Sequence, residues 1–479
     1  MDDAQFLTKY FCKNKNYIMI KKILLIALII STSVIAQQAQ NYKLSFEPLL
    51  FKSDSGKEVN AELGRFTVLE KRSNPSSREI QLSFVRFKST SSNPGSPIVY
   101  LAGGPGGSGI FSAKGERFDL FMALREFGDV IAFDQRGTGQ SGRFERCAPL
   151  QQIPVDKPAD PEQIINVIRD NARACIEQWK KSGVDITAYN NNESADDIDD
   201  LRKVLGSEKI TLWGISYGTQ LAFSYVKRHE KKVDHLILAG LEATGDNIKR
   251  PVHITNLLAR INTAIQKQPD AARVYPDLMS LMKNVLDEIE KQPVVVKIKD
   301  RAGELVEVGI GKADVQLITG YFLLKNPSDI RRLPSLFLEM SMGDFQGIAQ
   351  LAYQIKYYGS MVDGMPFLMD ATAGVSEKLM TKIEKESQYC LLGRLHNFPF
   401  PDASYSLELP DLGDDYRMDV KSKAKGLFIS GTMDGRTFIE DAIRISSKFK
   451  NVTHLIVENG GHDIFEQSPK IQELIVSYM

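Results

Sequence analysis

Ser216 is the residue in this chain whose type and setting most plainly offer chemistry. It stands in Gly214-Ile215-Ser216-Tyr217-Gly218, a G-x-S-x-G run. Residues 209–213 before it are β-branched, apolar and aromatic and read as a buried strand; residues 219–227 after it are apolar at helical spacing. Strand, sharp turn and helix put such a serine on a strained elbow with its Oγ raised above a sheet. Gly214 and Gly218 lack a Cβ, so strand and helix can approach closely around the turn. A serine hydroxyl is a poor nucleophile by itself, and needs a base to take its proton and a third group to orient that base.

Six histidines could supply the base. His229 and His235 flank the strand after the elbow helix, His253 and His396 sit in polar stretches that promise no fixed geometry, and His454 lies inside an alternating strand. His462 differs. It occupies Asn459-Gly460-Gly461-His462-Asp463, between a strand at 452–458 and a closing helix at 464–478. Active groups of open α/β sheets gather at the carboxyl ends of strands, where this loop belongs. The same rule selects Asp434 as orienting acid, since Ser430-Gly431-Thr432-Met433-Asp434 follows directly on the strand 426–430. Asp411, Asp414 and Asp415 have no strand feeding them, and Asp463 is too close in sequence to reach the far side of the His462 ring. Acyl transfer also needs donors for an oxyanion. The backbone N–H of Tyr217 is one, and Gly104, in the glycine loop after the strand 97–101, is the expected second; removing such a donor costs about 3–4 kcal/mol of barrier. That loop, Gly104-Pro105-Gly106-Gly107-Ser108-Gly109, also satisfies the dinucleotide pattern G-x-G-x-x-G. Proline removes a phosphate-facing donor and residues 110–117 open a helix poorly, so the oxyanion reading is preferred.

These groups require a particular frame. Residues 42–51, 60–70 and 79–88 read as an antiparallel opening meander. Strands at 97–101, 129–133, 209–213, 233–240, 426–430 and 452–458 alternate with helices, including 161–181, 195–205 and 437–448. Ser194 and Asp197 resemble a capping box for the helix at 195–205. The fold class expected is α/β, a mostly parallel, doubly wound sheet. Residues 241–425 are too long for one crossover and largely helical in pattern, so a helical lid is expected at 246–385, between core segments 37–245 and 386–479.

Hydrophobic residues make up 43% of the chain and charged residues 25%, which fits a globular protein. Lys+Arg and Asp+Glu are both 60, so no net field recruits nucleic acid or an anionic membrane. Lys21-Lys22, an apolar run at 23–30 and Val34-Ile35-Ala36 read as a secretory signal over residues 1–36, cleaved after Ala36, with Met19 as an alternative start. The apolar run is shorter than the ~20 residues of a spanning helix, so no membrane insertion is expected after cleavage. The address is therefore periplasmic or extracellular, an oxidising compartment. Cys12 would leave with the leader. Cys147, Cys175 and Cys390 permit one bridge, of which Cys147–Cys175 is the most local. None has metal-ligand spacing, and no cofactor is expected.

Gly103-Gly104-Pro105-Gly106-Gly107-Ser108-Gly109, Asp134-Gln135-Arg136-Gly137-Thr138-Gly139, Gly214-Ile215-Ser216-Tyr217-Gly218, Gly431-Thr432-Met433-Asp434 and Gly460-Gly461-His462 together resemble prolyl aminopeptidases and secreted tripeptidyl aminopeptidase-like α/β-hydrolases. The order Ser216, Asp434, His462 is that of the α/β-hydrolase triad. The resemblance covers about 95–245 and 425–479. Ala102 stands where cytosolic prolyl aminopeptidases carry histidine, which points to the secreted branch, and Phe438 stands where the tripeptidyl branch often has proline. The resemblance implies an exopeptidase acting on a peptide with a free amino terminus through an acyl-enzyme. It also implies an acid for the substrate ammonium, for which Glu242 and Glu339 are the candidates. A carboxylesterase or lipase acting on small esters would use the same triad. A binding protein of the same fold would usually lack a triad member.

Overall fold

The structure, a computed structural model, describes residues 43–142 and 144–479. The expected leader, Met19 and Cys12 lie outside the described residues. Among the described residues nine strands build one sheet and two build a hairpin. The opening meander consists of β1 (Ser45–Lys52), β2 (Glu58–Leu69) and β3 (Glu79–Phe87). It is followed by β4 (Ile98–Leu101), β5 (Val130–Asp134), β6 (Ile210–Ile215) and β7 (Val233–Ala239). The hairpin is β8 (Val294–Lys299) with β9 (Leu305–Ile310), and the sheet closes with β10 (Ser422–Gly431) and β11 (Phe449–Val457). The sheet order is β1-β2-β3-β5-β4-β6-β7-β10-β11. The pairs β1–β2, β2–β3 and β3–β5 are antiparallel; the pairs from β5 to β11 are parallel. Every residue of β4, β5 and β6 is buried, as expected of parallel strands covered on both faces.

Two apolar clusters organise the packing. One lies against the sheet and includes Trp213, Ile215, Phe121, Tyr100 and Phe465. The other is built largely from helices of the segment between β7 and β10, among them Pro251–Gln266, Leu278–Lys291 and Leu333–Ser341, and it takes in Met433 and Phe438 on either side of Asp434. This segment is mostly helical but also carries the β8–β9 hairpin, whose pairing joins neighbouring strands that the sequence patterning did not reveal. No helix among the described residues is long and apolar enough to cross a membrane.

Three local expectations are corrected. The helix expected at 195–205 begins earlier, at Asn191, because the Asn190 side chain accepts from the amides of Asn192 and Glu193. Asp197 is instead consumed by two guanidinium groups, those of Arg72 and the fully buried Arg136. The closing helix is two helices, Ile464–Gln467 and Pro469–Tyr478, since Pro469 cannot continue a helix but starts one well. The most local pairing expected, Cys147–Cys175, is present as a disulfide, and among the described residues Cys390 is free and buried.

Candidate active site

Ser216 sits between β6 and the helix Tyr217–His229 with φ 58° and ψ −129°, a backbone conformation non-glycine residues avoid. Its N–H donates to the Ala239 carbonyl at 3.0 Å, and its carbonyl accepts from Thr219 N and Oγ1 at 2.7 and 2.8 Å. A Cβ on Gly218 would lie 2.1 Å from the Leu101 carbonyl oxygen of β4, so helix and sheet meet there backbone to backbone. The elbow is thus held open by the sheet itself.

Asp434 follows β10 and His462 follows β11. His462 Nδ1 lies 3.0 and 3.1 Å from the two Asp434 carboxylate oxygens. Asp434 is buried and also accepts from Thr437 Oγ1 at 2.6 Å, Thr437 N at 2.9 Å and Arg436 N at 2.7 Å. Burial alone would raise the pKa of this carboxyl, but the nearby His462 and the hydrogen bonds outweigh it and hold it below the ordinary value. An ionised carboxylate on Nδ1 keeps the proton on that nitrogen and leaves Nε2 as the basic atom. Asp463, set aside above, turns away from the ring and accepts from Lys325 Nζ at 2.8 Å and Asn326 Nδ2 at 2.9 Å. The segment between β7 and β10 also grips both loops. The Lys325 carbonyl accepts from His462 N at 3.0 Å, and a Cβ on Gly435 would lie 2.2 Å from the Leu324 carbonyl oxygen.

The glycine loop lies directly beside Ser216. A Cβ on Gly103 would be 3.1 Å from Ser216 Cβ, a tight contact, and Gly103 and Gly104 both line the cavity that holds Ser216. Asp134, the first residue of the Asp134–Gly139 motif, shapes this loop. It accepts from Ser108 Oγ at 2.6 Å and Ile110 N at 3.1 Å, while Gln135 Nε2 donates to the Ala102 carbonyl at 3.2 Å. The helix after the loop, Gly109–Ser112, has only four residues, too few to cradle a pyrophosphate.

Ser216 and His462 open on one cavity of about 960 Å³. Glu242 lines it, with Oε1 3.2 Å from Lys249 Nζ. Asp370, which no sequence motif marks, lines it as well, from the helix Gly364–Ala373. Burial first, and Glu242 second, push the Asp370 carboxyl up to about 8. The Tyr217 hydroxyl is buried without a partner in the field of these two acids. Glu339 is not brought to the site. It lies on the helix Leu333–Ser341, its carboxylate beside Gly347, and does not line the cavity. Conversely His396, whose sequence neighbours promised no geometry, is in the cavity wall; burial, then Arg436 and Lys249, push it down to about 3, so it is neutral.

A family model described as alpha/beta hydrolase fold matches residues 96–270, the stretch that holds the glycine loop and the elbow. The chain has the α/β-hydrolase fold. Its similar relatives include serine protease Hip1 of Mycobacterium tuberculosis, 30% identical over 168 residues, covering 33% of this chain and 32% of the relative. The tripeptidyl aminopeptidase of Streptomyces lividans is 29% identical over 175 residues, covering 34% and 32%. The proline iminopeptidase of Arabidopsis thaliana is 26% identical over 200 residues, covering 41% and 36%. Over this stretch the chain resembles aminopeptidase-like α/β-hydrolases, and it spans about a third of the length of the curated relatives it matches.

Proposed function

We propose that this protein is a serine hydrolase of peptidase type, an aminopeptidase that releases residues from the free amino end of a peptide. The observation that carries the reading is the shared cavity: a strained serine and a histidine–aspartate pair open on the same space as the acids Glu242 and Asp370. In the reaction, Ser216 Oγ attacks the scissile carbonyl carbon while His462 Nε2 takes its proton. The tetrahedral oxyanion is received by the Tyr217 N–H and the Gly104 N–H. Collapse breaks the C–N bond, and His462 returns the proton to the leaving amine. Water then repeats the attack on the acyl-enzyme, releasing the acid and restoring the serine. Glu242 and Asp370 hold the substrate ammonium, and residues 246–385 serve as the lid over the site. Export to the periplasm or beyond is part of the same reading, and the Cys147–Cys175 bridge supports it.

A carboxylesterase acting on small esters is the second reading, favoured by the aromatic side chains Phe322, Phe398 and Phe400 in the cavity wall. Turnover of alanine- and proline-linked arylamides beside short acyl esters separates the two. The aminopeptidase reading expects arylamide turnover that N-acetylation of the substrate abolishes. Hydrolysis of esters alone would overturn it.

A further inference from the structure

Four lysine and arginine side chains line the cavity, and three are neutralised by an acid. Lys249 pairs with Glu242 at 3.2 Å, Lys325 with Asp463 at 2.8 Å, and Arg117 with Glu466 at 2.9 Å. Arg436 is the exception: among the described residues no carboxylate forms an ion pair with it. Its guanidinium lies 4.6 Å from the centre of the Tyr321 ring and donates to the Tyr321 carbonyl. Burial lowers its pKa, and the fields of Tyr321, Asp434, Asp329 and Asp463 do not restore it. Arg436 is half-buried, a partly desolvated guanidinium without a paired carboxylate is costly, and its planar fork matches a carboxylate. The side chain is also fixed in advance by the ring and the carbonyl, which lowers the entropic cost of binding an anion.

We propose that Arg436 receives a carboxylate on the leaving part of the substrate, so that this α/β-hydrolase prefers short peptides carrying a negative charge beyond the scissile bond. The inference rests on the aminopeptidase reading. Glu242, Asp370 and Arg436 line one cavity, so a peptide with an ammonium and a carboxylate meets both acids and a cation without a paired carboxylate there. A volume of about 960 Å³ lies within the range of small-ligand pockets, roughly 300–1,000 Å³. The carboxylate has two possible sources, the free carboxyl terminus and an acidic side chain.

The test compares kcat/KM for trialanine, trialanine amide and an alanine tripeptide amide ending in aspartate. At least one carboxylate-bearing peptide is expected to exceed the neutral amide about tenfold or more, which identifies the source. In Arg436→Gln that ratio falls to about one, and in Arg436→Lys part of it returns. Equal turnover of all three peptides by the unaltered enzyme overturns the proposal. So does an equal loss by Arg436→Gln on all three, because the side chain would then act through the Asp434 loop. Calorimetric binding of the same peptides to Ser216→Ala decides the question without turnover, so an enzyme that cleaves only esters would sink the aminopeptidase reading without obscuring this measurement. Carboxylate-bearing and neutral peptides binding equally to that variant would overturn the Arg436 assignment.

Discussion

The two sides of the candidate site are built in different ways. On the nucleophile side, the elbow and the glycine loop are seated on β4, β6 and β7 by main-chain contacts, such as Ser216 N to the Ala239 carbonyl and Gly218 against Leu101. On the acid–base side, Asp434 and His462 stand on β10 and β11, but their loops are closed by Leu324 and Lys325 from the long segment between β7 and β10. The first half is part of the sheet's own construction. The second depends on a docked segment, and any shift of that segment moves His462, the proposed base, relative to Ser216. A misplacement of about 1 Å can cost about 10²-fold in rate, so this seam is where activity is most exposed.

Variants can break that contrast, beginning with the largest effect. Ser216→Ala should abolish turnover and fluorophosphonate labelling while circular dichroism and the melting temperature stay near those of the unaltered protein. Asp434→Asn should cut kcat by about 10⁴, because an amide no longer fixes the His462 tautomer; a near-normal rate would mean that another acid orients the ring. Gly435→Ala drives a methyl into the Leu324 carbonyl and should lower kcat by about 10²-fold. Gly218→Ala makes the matching change where the elbow helix meets β4 and should instead cost mainly stability, about 1–3 kcal/mol, read as a fall in melting temperature. If both glycine variants lost stability and rate in the same proportion, the two sides would not differ as described.

The smallest effect concerns pH. Asp370 keeps its proton up to about pH 8, and only its ionised form attracts an ammonium. A substrate α-amino group stays protonated to about pH 7.7–8.0. The KM for an arylamide with a free amine should therefore fall several-fold as pH rises from about 6 towards 8. Asp370→Asn should flatten that fall, and the KM for a neutral ester should not follow it in either protein. A flat KM in the unaltered protein would exclude Asp370 from amine binding.

How much was legible in the sequence follows the same division. The elbow could be read because its parts are local: glycines two residues either side of Ser216, a buried strand before and a helix after. Asp434 and His462 were legible as loops after strands, and the structure does bring them within hydrogen-bonding distance. Asp370 was not, since nothing in its own helix separates it from an ordinary surface acid; only the packing of that helix against the glycine loop, Pro366 on Gly106, carries it to the cavity. Glu339 was misjudged for the same reason, as a helix turned the other way. His396 looked unremarkable among polar neighbours and is half-buried through contacts remote in sequence, with Gly320 and Phe438. Asp197 matched a local capping pattern, but two arginines distant in sequence claimed it.

The sequence by itself determined the alternation of strands and helices and singled out Ser216, Asp434 and His462 as candidates, because periodicity, glycine placement and loop position are short-range properties. Only the tertiary structure decided which acids face Ser216, which cation is left without a partner, and what closes the loops of Asp434 and His462. Those outcomes depend on how helices far along the chain orient against the sheet, and that orientation is set by the burial of whole faces rather than by any neighbouring residue.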